Sequence, residues 1–200
     1  MTAAPADVRS APESGRRLRS DARAVRFSVR GTTVVIRSGF LLVVAGAWAL
    51  ATALLTANNT ASTGALTIAS PVDALVTALL LAGGVVLHEI GHVLACSAVG
   101  TRCYVLHLGL RSSVSHAAPQ GLQRAIIASA GPLMEIAAGG MLWIASGSSW
   151  HVPLSPIATA ALCMIISGAL QLLPISQASD GWRVRAALNP RQTPPAIAPR

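Results

Sequence analysis

Residues 88–92 read His-Glu-Ile-Gly-His. Two histidines four apart on a helix lie on one face, about 6 Å apart along the axis, where one tetrahedral ion can take both imidazoles. Glu89 follows the first histidine directly and would stand beside a water held there, ready to take its proton. Zinc is the usual metal for this spacing. The competing reading, a histidine pair buried only for packing, is disfavoured because ionisable groups inside an apolar segment are costly and need a reason. Two carboxyls further along belong to the same question. Glu135 closes Gly131-Pro132-Leu133-Met134-Glu135 inside another apolar run, with no basic residue near it in sequence, which by default marks a functional group facing the interior of a bundle. Asp180 lies in Ser179-Asp180-Gly181, a turn-forming sequence after the last apolar run.

The elements that must position these residues are membrane spans. The chain is 52% hydrophobic and 11% charged, with mean hydropathy +0.59, too apolar for a soluble metalloprotein with a polar surface. Four apolar runs, at about 39–57, 72–99, 125–146 and 152–176, are each long enough for the roughly 20 residues that cross a bilayer. The expected fold is therefore an all-α polytopic membrane protein with about four transmembrane helices. The net charge of +8 comes from 15 arginines and no lysine, and its placement excludes a nucleic-acid surface. Eight arginines precede the first run, Arg102, Arg111 and Arg124 surround the second connection, and Arg183, Arg185, Arg191 and Arg200 follow the fourth. The connections 58–70 and 147–151 hold none. Such alternation is the positive-inside pattern with both termini cytoplasmic. The Lys-free, Ala- and Arg-rich composition points to a high-GC bacterium and its plasma membrane.

Residues 1–26 read as a disordered Arg/Ala/Pro-rich arm that can touch anionic lipid heads; its acid-poor character equally suits a transit peptide. Residues 186–200 read as a Pro-rich disordered tail, leaving 27–185 as the membrane domain. Alternation at Val25, Phe27 and Val29, then Thr32 to Ile36, predicts a strand or hairpin turning at Gly31, and Cys103 to Leu108 with Ser112 to Ser115 predicts a second hairpin joined near Gly109. Both would lie at the membrane surface. Asn58 to Gly64 reads as a polar outer loop, and Ser70-Pro71 with Asp73 as a helix start. Gly83-Gly84 and Gly139-Gly140 mark close helix packing, and Trp143 and Trp150 an interfacial belt. Cys96, four past His92, could supply a further ligand, although a small packing residue is the commoner role. With four crossings, Asp180 emerges on the same side as His88 and His92. A His-His-Asp set could then close around one zinc and leave the fourth position for water; standing alone, Asp180-Gly181 would be only a turn.

Three motifs in order, His88-Glu89-Ile90-Gly91-His92, Gly131-Pro132-Leu133-Met134-Glu135 and Leu172-Leu173-Pro174 leading to Asp180-Gly181, resemble the site-2 protease family of intramembrane zinc metalloproteases. The resemblance runs from about Gly31 to about Arg185. It implies His88, His92 and Asp180 as ligands of one Zn2+ per chain, Glu89 as catalytic acid/base, and a transmembrane or membrane-associated protein or peptide as substrate. Two departures are visible. The family usually has Asn, thought to help hold the substrate, where this chain has Glu135, and a carboxyl can donate a hydrogen bond there only when protonated. It also commonly has Asn at Gln171, with the Asp one residue nearer the Leu-Leu-Pro. The alternative reading is a catalytically weak or inactive relative that binds membrane segments. A metal transporter would want a polar path through the bundle, and the outer halves of the runs offer almost no ligands.

Overall fold

Apolar runs interrupted by glycine, proline and polar clusters give nine elements among the described residues. The computed structural model describes residues 24–29, 31–110, 112–117, 121–147 and 154–189. Most of the N-terminal arm, the tail beyond Asn189, Arg111 and Trp150 lie outside the described residues.

Strands β1 (Ala24–Val29) and β2 (Thr32–Arg37) form the first expected hairpin. It turns at Gly31, whose φ of 84° only glycine adopts without strain. β3 (Cys103–Leu108) and β4 (Ser113–His116) form the second. The two are not separate surface elements, however. β2 pairs in parallel with β3, Val34 opposite Leu106 and Ile36 opposite Leu108, so that one four-stranded sheet runs in the order β1-β2-β3-β4. The all-α expectation is corrected to that extent. The cause is shared burial: Val34, Leu106 and Leu108 form one cluster with Ile36, Phe40, Val86 and Val114 packed against it, and burying that common apolar face outweighs leaving two half-covered ribbons.

The helices are α1 (Gly39–Thr63), α2 (Pro71–Ala98), α3 (Gly121–Ala145), α4 (Pro156–Leu172) and α5 (Asp180–Leu188). The first three are long and apolar enough to cross a membrane, and α4 is an apolar helix of 17 residues. In its most apolar stretch α1 is 11% buried against 44% for α2 and for α3, so α1 flanks the molecule while α2 and α3 form its centre. The polar segment expected as an outer loop is helical to Thr63 and ends at Gly64 in the left-handed conformation. Its side chains explain why: Asn58 binds both the amide and the carbonyl of Leu154, and the Thr56 and Thr60 hydroxyls accept from the amides of Ala69 and Thr67. Polar groups at the end of α1 thus tie down the entries to α2 and α4.

Close approach among α2, α3 and α4 depends on one glycine of each expected pair. A Cβ on Gly139 would stand 2.8 Å from the Ala161 carbonyl oxygen, and one on Gly84 would stand 3.1 Å from Met164; Gly140 and Gly83 face open space. Gly168 approaches the Pro132 carbonyl in the same manner. These contacts set α4 against α3 and bring its C-terminal end to the level of the His88 turn.

Candidate metal centre

Helix α2 carries His88 and His92 one turn apart, their ring centroids 4.9 Å from each other and their planes at 77°. Both are buried, with Glu89 between them in sequence. Neighbours hold the two rings alike at Nδ1. His92 Nδ1 donates to the Ile127 carbonyl at 2.6 Å, and His88 Nδ1 meets Glu135 Oε2 at 3.0 Å. A carbonyl can only accept, so His92 carries a proton on Nδ1, and in the neutral ring that leaves Nε2 as the atom with a free lone pair. Both Nε2 atoms point at one carboxylate oxygen, Asp180 Oδ2, at 3.1 Å from His88 and 3.5 Å from His92.

Asp180 reaches this position because α5 begins there instead of forming an isolated turn. Ser179 caps the helix, its hydroxyl accepting from the Trp182 amide. Gly181 lets the first turn of α5 rest on the end of α4: a Cβ would run into the Leu172 carbonyl. Burial works to raise the Asp180 carboxyl, but contacts with His88 and His92 and the charge of Arg183 hold it well below the usual carboxylate range. Arg183 Nη1 donates to Oδ1 at 3.2 Å and leaves Oδ2 to the histidines.

The donor set fits a metal ion. One atom each from His88, His92 and Asp180 lies within 4.8 Å of the others. With both rings neutral and protonated at Nδ1, their lone pairs would meet the carboxylate oxygen repulsively, and a cation among the three atoms would take the place of protons at Nε2 and remove that repulsion. Two nitrogens and one oxygen are ordinary zinc donors. Space is kept open as well: a Cβ on Gly131 would overlap His92 Nε2 and crowd His88. Glu89 Oε2 is buried without a hydrogen-bond partner among the described residues, an expensive arrangement unless something polar comes to meet it.

A cavity of about 340 Å³ opens on this cluster, lined by His88, Glu89, His92, Gln171, Asp180 and Arg183 among others, with β4 along one wall. A second, of about 250 Å³, shares His88, Glu89 and Gln171 with the first and adds Glu135. His88, Glu89, His92, Glu135 and Asp180, expected from sequence, all meet within one region. Cys96 does not join them; it is buried against Ala95 and Ile127, with Cys103 packed beside it. His116 Nδ1 donates to the Ala117 carbonyl. Sequence reading gave no partner for Glu135 and missed the Ile127 carbonyl and Arg183. Arg183 stands three residues after Asp180, and that spacing was a usable signal.

Three helices long and apolar enough to cross a membrane thus surround a His-His-Asp cluster able to hold a metal ion, with a small sheet against one side. The site-2 protease from Methanocaldococcus jannaschii has the same fold, with a TM-score of 0.58 and 21% sequence identity over 84% of this chain and 73% of that one. The likeness is one of fold, and it is the fold that the three-motif resemblance implies. No protein-family model matches the sequence, and no curated protein does.

Proposed function

We propose that the chain is an intramembrane zinc metalloprotease of the site-2 protease type, which hydrolyses a peptide bond in or near a transmembrane segment of a protein or peptide. The observation that carries this reading is a buried, unpartnered Glu89 oxygen beside the convergent Nε2 atoms of His88 and His92 and Oδ2 of Asp180. Those three residues would hold the ion. When bound, zinc supplies Lewis acidity, polarising a substrate carbonyl and making water acidic enough to lose a proton near pH 7. Glu89 Oε2 takes the proton of the attacking water and returns it to the departing amine nitrogen. Asp180, fixed by Arg183, and His92, fixed by the Ile127 carbonyl, do not have to reorganise during the reaction. The apolar helices around the cavity admit a membrane segment, which must expose its backbone there before its carbonyl can be attacked. Four crossings by α1 to α4 would leave both termini in the cytoplasm, the metal nearer that side, and residues 27–185 as the working domain.

The test is purified protein in detergent with a transmembrane reporter. About one zinc per chain and cleavage by wild type are expected. Glu89→Gln should lower cleavage by at least about 10²-fold while zinc stays bound. Full zinc with no cleavage of any transmembrane reporter would replace the protease by a membrane-segment binder. Absence of zinc would remove both the ion and the reaction.

A further inference from the structure

His88 is held on both sides by carboxylates. Its Nε2 faces Asp180 and its Nδ1 faces Glu135 Oε2 at 3.0 Å. The Glu135 oxygen has a second partner, since Gln171 Nε2 donates to it at 3.3 Å. Three helices therefore meet at one atom: α2 through His88, α3 through Glu135 and α4 through Gln171. Glu135 is buried, at 4% exposure, and its Oε2 faces the Gln171 amide, a donor, and a ring nitrogen able to donate. Two proton arrangements are available to this contact. If Glu135 donates to Nδ1, the ring proton sits on Nε2, points at Asp180 and blocks metal binding there. If Glu135 accepts from Nδ1, Nε2 is bare and aimed into the cluster, as His92 Nε2 is by the Ile127 carbonyl. An ion held at Nε2 selects the second, because the one proton of the neutral ring then sits on Nδ1, where Glu135 Oε2 at 3.0 Å is the acceptor; Gln171 Nε2, 3.5 Å from Nδ1, donates to the same oxygen.

We infer that Glu135 is a positioning residue: its carboxylate, held by Gln171, fixes the Nδ1–H tautomer and ring orientation of His88 and so aims Nε2 at the metal. This rests on the metal-site reading above. It gives Glu135 a role that needs no contact with substrate. A carboxylate behind a ligand histidine raises the basicity of the imidazole, and its loss commonly weakens metal binding 10- to 100-fold.

The test uses the full chain in detergent, with zinc affinity measured by chelator competition and the visible spectrum recorded after cobalt substitution. Glu135→Gln, which keeps the volume, is expected to bind zinc 10- to 100-fold more weakly and to shift the cobalt bands, with the thermal transition of the metal-free protein unchanged. Equal zinc affinity and an unshifted cobalt spectrum would overturn the inference. Because a variant can lose its fold, wild type is tested directly as well: ¹⁵N shifts of the zinc-loaded protein should show His88 protonated at Nδ1, and a bare Nδ1 overturns the inference. Wild type that binds no zinc would instead refute the metal site itself, a result distinct from wild type that binds zinc with Glu135 irrelevant to it.

Discussion

Each of the three candidate ligands is contacted by a different kind of group: the Glu135 carboxyl for His88, a backbone carbonyl for His92, an arginine for Asp180. That division decides what single changes should do. Asp180→Ala removes the only carboxylate among the three ligand atoms and should bring zinc content well below one per chain by metal analysis; unchanged zinc would take Asp180 out of the site. Gly131→Ala removes no ligand, yet its methyl would overlap His92 Nε2, so it too should weaken zinc binding by tenfold or more in a chelator titration. His88, Glu89 and His92 were legible from sequence because a helix repeats every 3.6 residues and brings i and i+4 together without reference to the rest of the fold. Asp180 was legible only through the count of crossings and the resemblance. The Ile127 carbonyl was not legible at all, since a backbone acceptor leaves no trace in residue type. Glu135 stood out as a carboxyl in an apolar run, but a residue 47 positions from His88 does not announce its partner.

Among the elements, helix positions were readable from apolar length, while their ends and the sheet were not. α1 runs past its apolar run to Thr63 because polar side chains there find partners in the following connections. The parallel pairing of β2 with β3 joins segments about 70 residues apart, and alternation along a strand says nothing about which neighbour it will take. Gly139-Gly140 offers a test of helix packing within two residues. Gly139→Ala places a methyl 2.8 Å from the Ala161 carbonyl oxygen and should destabilise by about 1–3 kcal/mol, the ordinary cost of overpacking. Gly140→Ala meets nothing within 4 Å and should be neutral or stabilising by about 0.5–1 kcal/mol, as in a helix interior. Denaturation of both variants in one detergent checks the pair, and equal losses would argue against the α3–α4 contact described here. Gly181→Ala should separate α5 from the end of α4, weakening zinc binding although all three ligands remain.

At the scale of the whole molecule, the site works only if the chain returns to the side from which His88 and His92 are reached. α2 supplies the histidines from its C-terminal part, α3 and α4 must carry the chain out and back, and α5 then delivers Asp180. At 1.5 Å per residue the 17 residues of α4 span about 26 Å, short of a 30 Å hydrocarbon core. A crossing by α4 would therefore draw on neighbouring extended residues or on a locally thinner bilayer. Single cysteines in a background lacking Cys96, Cys103 and Cys163 can read this out: Ser28→Cys on β1, Ser62→Cys near the end of α1 and Leu188→Cys at the end of α5, all exposed positions. In sealed vesicles of known orientation, a membrane-impermeant thiol reagent should reach Ser28→Cys and Leu188→Cys from the cytoplasmic face and Ser62→Cys only from the opposite face. Labelling of Leu188→Cys from the same face as Ser62→Cys would mean an odd number of crossings. Asp180 and the paired histidines would then lie toward opposite surfaces, and no single ion could be shared between them.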